Sequence, residues 1–425
     1  MTTNEITIDV QGFRKVLDMV KGCVPSKTNL PILTDVKLDY DRQAETFYLS
    51  ASNGDQYIRV ECAERTRKDD DIHVEPCVHM LREDDKAGWE PVCIEYSHLR
   101  EIFASLPAVR RCTVTLKQKD EGQTRLMTID YQDGKLSLPY EPAIEFPEPP
   151  ALAADTDDSF RIRFQMPAEQ LIPVVRQARK CTADDELRAV MNSVCLDCFI
   201  DHLIVVASDG HKFYKHLLET MGYLQKAGFP VDQSTRLLVP KQAMPSLNAA
   251  FDGTDTLTVS ADTQRIEFRT DGATIVTRCI EGAYPNYESV IPKDNPYRIQ
   301  LSRDTLRMAL RRIGLSADTS SNMATFRADG NAFVISADNM EFSREGSERV
   351  PIQQTDAFLP DGFAIGMKIS STLELLDLLD EDNICLYMSE PSRAVLLKNE
   401  SPKLQNVTLL QMPMLVNVDG ASAGA

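Results

Sequence analysis

The stretch Tyr297–Gly314, "YRIQLSRDTLRMALRRIG", decides how the rest of the chain is read. Its first residues alternate and its later ones place Leu306, Ala309, Leu310 and Ile313 at the i, i+3, i+4, i+7 spacing of an amphipathic helix. A strand therefore runs straight into a helix. The same spacing occurs twice more. "ITIDVQGFRKVLDMVKG" from Ile6 supplies Phe13, Val16, Leu17 and Val20, and "FRIRFQMPAEQLIPVVRQARK" from Phe160 supplies Leu171, Val174, Val175 and Ala178. Ile8, Met166 and Leu301 close the three strands, and Pro173 is expected to kink the second helix. Three matches in one chain point to a repeated domain.

About forty residues into each copy, a strand ends in a small-residue turn. The triplets are Ala51-Ser52-Asn53, Ala207-Ser208-Asp209 and Ala337-Asp338-Asn339. Asn and Asp favour such turns because they bond their own main chain. Second helices are expected at "YSHLREIFASL", "KQAMPSLNAAF" and "SSTLELLDLLD", with alternating strands such as "RRCTVTLKQK" and "LTVSADTQRIEFRT" between. The fold class is thus α+β, with antiparallel sheets and two helices per copy. The proline- and acid-rich segment 139–159 and the segment 281–296 read as linkers. They set domains at 1–150, 159–290 and 296–418, with a flexible tail at 419–425. Residues 65–91 have no counterpart in the other copies and read as an insertion in the first.

The chain has 425 residues and a formal charge of −18. No apolar run is long enough to span a membrane. The N-terminus enters a strand directly, so no signal peptide is expected, and the ten cysteines fit buried thiols of a reducing cytoplasm. "CLDC" (Cys195, Cys198) is read as structural rather than metal-binding or redox-active, because the two side chains face opposite sides of a strand. Taken alone, −18 argues against a partner rich in phosphate. The first helices reverse that reading. Arg14, Lys15 and Lys21 against Asp18 give +2; Arg176, Arg179 and Lys180 against Glu169 give +2; Arg303, Arg307, Arg311 and Arg312 against Asp304 give +3. The rest of the chain carries −25. A shared basic surface facing a polyanion is the better reading for three corresponding helices in an acidic protein.

Four further motifs add a resemblance. "KTNLPIL", "ASDGHKFY", "EGAYPNYESVIPK" and the terminal "MPMLV" resemble, in order and spacing, those of the bacterial sliding clamps, the beta subunits of the replicative DNA polymerase. The resemblance implies three domains of one fold per chain and two chains joined head to tail in a ring. It implies that Arg14, Lys15, Lys21, Lys27, Arg176, Arg179, Lys180, Lys241, Arg303, Arg307, Arg311 and Arg312 face duplex DNA. It implies a peptide groove of Arg188, Met191, Ser208, Gly210, His211, Lys212, Phe213, Pro285, Val290, Leu310, Ala394, Met412, Pro413 and Met414, between the second and third domains. Leu136 and Leu138 would meet Thr305 and Leu306 of the second chain. The implied partners are double-stranded DNA, the replicative polymerase, the clamp loader, and repair polymerases and mismatch-repair proteins. No cofactor, metal or membrane is implied, and the cytoplasm is the expected location. The sequence departs from the family at Leu415, where an Arg is usual, at Phe213 and Ser289, and in continuing past Val416. Two other classes stay open: a scaffold of repeated domains that never meets DNA, and an acidic enzyme. Against the enzyme, no P-loop, G-x-G-x-x-G, H-E-x-x-H or G-x-S-x-G motif is present.

Overall fold

The first copy shows why each strand passes into a helix. Strand Thr3–Asp9 ends on Asp9, whose carboxylate accepts a hydrogen bond from the Gly12 amide at 2.9 Å and so caps helix α1, Val10–Val20. In the third copy, strand Tyr297–Ser302 ends on Ser302. Its hydroxyl accepts from the Thr305 amide at 3.1 Å and caps the helix Arg303–Ile313. These facts belong to a computed structural model, which describes residues 3–68, 71–81, 89–106, 111–117, 125–132, 134–154, 160–219, 224–225, 234–251, 256–357, 359–399 and 401–416.

Six α-helices are present among the described residues. They are α1, α2 (Tyr96–Ser105), α3 (Ala168–Arg179), α4 (Met244–Ala250), α5 (Arg303–Ile313) and α6 (Ile369–Leu376). The spaced apolar residues are buried in each first helix: Phe13, Val16, Leu17 and Val20; Leu171, Val174, Val175 and Ala178; Leu306, Ala309, Leu310 and Ile313. Pro173 lies inside α3, which runs on through it to Arg179 with Pro173 on its exposed side.

The topology repeats as the pattern does. After each second helix the chain returns and pairs antiparallel with the strand that began the copy. Thr3–Asp9 pairs with Arg111–Lys117, Phe160–Pro167 with Thr256–Asp262, and Tyr297–Ser302 with Asn383–Met388. One bond repeats in all three turns. The side-chain Oδ1 of Asn53, Asp209 and Asn339 accepts from the amide three residues on, in Gln56, Lys212 and Phe342, at 2.7, 2.8 and 3.1 Å. In the first two copies a glycine follows with positive φ, +92° at Gly54 and +90° at Gly210, a conformation that glycine adopts without steric cost.

Contacts group the chain into two compact units, Met1–Pro173 with Thr220–Ile280 and Val174–Glu219 with Glu281–Ala425. The first unit holds a five-stranded sheet, a ten-stranded sheet and a two-stranded hairpin. The second holds a four-stranded sheet. It also holds a run of antiparallel strands ordered Ser193–Cys198, His202–Ser208, Lys212–Glu219, Val407–Gln411, Val395–Asn399, Asn383–Met388, Tyr297–Ser302 and Gln354–Thr355.

The expected insertion, 65–91, is more integral than a separate appendage. Ala63–Lys68 and Asp71–Pro76 form the two-stranded hairpin. Val78–Met80 pairs with Ile6–Ile8 and closes one side of the five-stranded sheet. Trp89 is buried edge-on against Phe47, with ring centroids 4.9 Å apart. Residues 69–70 and 82–88 lie outside the described residues, as do 155–159 of the first linker and the tail 419–425.

Phe13 is the largest α1 side chain in this core, and its ring centroid lies 4.8 Å from that of Phe103 on α2. Phe13→Ala should lower unfolding free energy by about 3–5 kcal/mol. Denaturant titration checks this, and a loss under about 1 kcal/mol would contradict the packing described here.

Candidate functional site

The Ser208–Lys212 turn directs the chain into strand Lys212–Glu219. Asp209 Oδ1 accepts from the amides of His211 and Lys212, both at 2.8 Å, and Ser208 Oγ donates to the Lys212 carbonyl at 3.0 Å. That strand pairs antiparallel with the last strand, Val407–Gln411, with Lys212 opposite Gln411 and Phe213 opposite Leu410. The Met412 amide then donates to the His211 carbonyl at 2.7 Å. The register therefore delivers Met412 beside the turn.

A cavity of about 160 Å³ opens there, within the second unit. Phe213, Leu410, Tyr284 and Tyr287 are its buried walls, and Met191, Met412, Pro285, His211 and Val290 form the rim. Val290 is 46% exposed, so an apolar side chain already waits at the opening. The Lys212 ammonium is turned away into an ion pair with Glu374, and Asp209 Oδ2 lies 3.8 Å from it. An ammonium this deeply buried needs such partners. What faces the cavity is mainly apolar, which suits the side chains of an inserted segment. Methionine is flexible and polarisable and can repack around different guests.

Of the fourteen expected groove residues, nine line this one cavity: Met191, Ser208, Gly210, His211, Lys212, Phe213, Pro285, Val290 and Met412. Arg188 lies at its edge, where its Nη1 donates to the Asp209 carbonyl at 3.1 Å. Leu310 is fully buried in the core beneath α5. Ala394 is also buried, and its carbonyl accepts from Asn295 Nδ2 at 3.1 Å. Neither lines the cavity. Pro413 is half-buried just past it. Met414 lines a second cavity of about 350 Å³ with Gly362, Ala364 and Leu415, where its amide donates to the Gly366 carbonyl at 2.8 Å. A Cβ on Gly366 would come within 2.7 Å of the Met414 carbonyl oxygen, so only glycine lets the C-terminal segment pass this closely. The sequence reading missed Tyr284, Asn286, Tyr287 and Leu410. The signal for the tyrosines was present in "YPNY", which brackets the expected Pro285.

Many of the twelve expected DNA-facing cations have intramolecular partners. Arg14 donates from Nε to the Phe103 carbonyl at 2.6 Å and from Nη2 to the Leu106 carbonyl at 2.8 Å, capping the end of α2. Lys15 pairs with Glu64 of the hairpin, Arg307 with Asp377 at 3.0 Å, and Arg312 with Glu348. Arg303 donates to the Leu379 carbonyl at 2.5 Å. Lys21, Lys27, Lys180 and Arg311 are exposed and make no ion pair among the described residues. Arg176, Arg179 and Lys241 complete the set on or beside α3 and α4. Exposed pairs are worth only about 0–1 kcal/mol, so Lys15, Arg307 and Arg312 can each exchange a carboxylate for a phosphate.

Among the described residues no group of three His, Cys, Asp or Glu is placed to hold a metal ion. No described helix is long and apolar enough to cross a membrane. All ten cysteines are free, and all but the half-buried Cys279 are buried; burial pushes the Cys23 thiol up to about 12, well away from a reactive thiolate.

The family described as DNA polymerase III beta subunit, central domain, matches residues 165–286. The beta sliding clamp of Synechococcus elongatus is 23% identical over 400 residues, covering 94% of this chain and 96% of that one. The chain is similar over nearly its whole length to the bacterial beta sliding clamps. The Escherichia coli clamp is 22% identical over 319 residues, 74% of this chain and 79% of that one. Among solved structures, the Bacillus subtilis DNA polymerase sliding clamp superposes with a TM-score of 0.77 at 19% identity, covering 98% of this chain and all of that one. The Pseudomonas aeruginosa clamp bound to griselimycin gives 0.77 at 18%, with the same coverage. The antiparallel α+β fold is common to them.

His216, on the strand that carries Phe213, provides a pH test. Burial pushes its imidazole down to about 4. An unfolded histidine titrates near 6.5, so between these values the unfolded chain binds a proton that the folded chain does not. Stability should therefore fall as pH drops from about 6.5 towards about 4. His216→Gln should reduce the loss of denaturation midpoint between pH 7 and pH 5; an unchanged loss would place the imidazole in water.

Proposed function

We propose that this chain closes with a second copy into a ring around duplex DNA and tethers the replicative polymerase through the Phe213–Met412 cavity. The clamp loader, repair polymerases and mismatch-repair proteins take turns at the same cavity. The ring acts in the cytoplasm and catalyses nothing. Each chain contributes three domains, near 1–150, 159–290 and 296–418, and the groove belongs to the junction of the second and third. One observation carries the peptide site: nine residues chosen from separate parts of the sequence line one apolar cavity beside the C-terminal segment. Similarity to the beta sliding clamps supports the ring and the DNA.

Two sheet edges support head-to-tail closure. Among the described residues, strand Gly134–Pro139 pairs on one side only, with Leu126–Tyr131, and strand Arg344–Pro351 on one side only, with Ala332–Asn339. Unpaired edges are ready sites for another chain. A heterologous contact of this kind makes a ring only if its rotation closes. Burial refines the expected contact. Leu136 is half-buried and Thr305 exposed, so both can reach a partner. Leu306 is fully buried and Leu138 is only 5% exposed, so each serves its own core first.

The native mass should be about twice the 47.6 kDa of the chain. Leu136→Asp should give folded monomers, because the ring buries the new charge and the monomer does not; dimers of this variant would move the contact elsewhere. For the groove, removal of Met412 onward should abolish binding of a labelled peptide with alternating leucine and phenylalanine while the dimer persists, since a few apolar anchors dominate such sites. Unchanged affinity after truncation would reject the cavity as the docking site.

A further inference from the structure

The groove wall Tyr284–Val290 has little regular structure of its own. It contains one short 3-10 turn, Tyr287–Val290, flanked by two long backbone hydrogen bonds, from the Ser289 amide to the Asn286 carbonyl and from the Ile291 amide to the Glu288 carbonyl, each 3.4 Å. Gly282 precedes it at φ +130°, where a Cβ would approach Val190 to 2.8 Å. Outside the wall, Lys215 pairs with Glu288 at a half-exposed position. Behind it, the Tyr287 hydroxyl donates to Asp197 Oδ2 at 2.8 Å. Asp197 is fully buried, and it is the acid of the "CLDC" strand, Ser193–Cys198, in which every residue is buried. A carboxylate in such a strand is costly, and packing alone gives no reason for it. On this strand Cys195 and Asp197 share one face, and Cys198 is on the other.

We propose that Asp197 is a positioning residue for the peptide groove: through Tyr287 it fixes the wall that an inserted apolar segment packs against. This rests on the groove reading of the cavity. The bond orients the Tyr287 ring, which lines the cavity beside Phe213 and Leu410. Without it the wall keeps its apolar contacts but loses the buried Tyr287–Asp197 bond to the sheet. A buried hydroxyl that loses this acceptor then competes for water through the groove.

The test uses the full chain and the same labelled leucine- and phenylalanine-containing peptide. Asp197→Leu should weaken affinity roughly tenfold. Asp197→Asn, which still offers an oxygen acceptor, should restore most of it. Hydrogen exchange should quicken at amides 286–291 in Asp197→Leu and stay unchanged in strand Lys212–Glu219, a local signature that general loss of stability does not give. If Asp197→Leu does not fold, Asp197→Leu with Tyr287→Phe removes both polar partners and should fold while still binding weakly. Wild-type affinity and exchange in the leucine variants would overturn the positioning role and leave the groove standing. No binding by the unaltered protein would overturn the groove reading and this proposal together.

Discussion

Each first helix has one apolar stripe, and that stripe must be buried. Phe13, Val16, Leu17 and Val20 on α1, and Leu306, Ala309, Leu310 and Ile313 on α5, meet that demand against their sheets. Burial of one stripe leaves the opposite face no choice but solvent. Lys15, Arg176, Arg311 and Arg312 are exposed on these helices, while Arg14 and Arg303 are tied to neighbouring carbonyls, so core packing and the placement of positive charge are linked. The acidic remainder of the chain then discourages polyanions from approaching anywhere else.

The fold was largely legible because its signals are local. The helix period, the caps at Asp9 and Ser302 and the turn residues Asn53, Asp209 and Asn339 each act within a few residues of sequence. The site was legible only in part. Its cavity joins residues near 191, 208–213, 284–290 and 410–412, and what joins them is strand register, Lys212 opposite Gln411. The family resemblance supplied most of these residues. Composition and spacing could not show that Leu310 turns into the core or that Tyr287 reaches Asp197.

The charge count shows the same limit. A net charge of +7 on three helices is a sequence fact. That Lys15 meets Glu64, 49 residues away, and Arg307 meets Asp377 is not. These pairs temper the positive field without abolishing it, because exposed pairs are weak and labile. A moderated field suits the proposed sliding: contacts to phosphate that form and break cheaply would hold position without friction. They also bring salt sensitivity to any direct binding, through release of counterions.

Retention by topology is the claim on which the account turns. The direct measurement loads the chain onto closed circular duplex with a clamp loader, raises salt, and then cuts the circle once. The account predicts that protein stays on the intact circle at salt that strips any directly bound protein, and leaves when the circle is linearised. Protein that remains on the cut duplex at that salt, or that leaves circle and linear DNA alike, would contradict it.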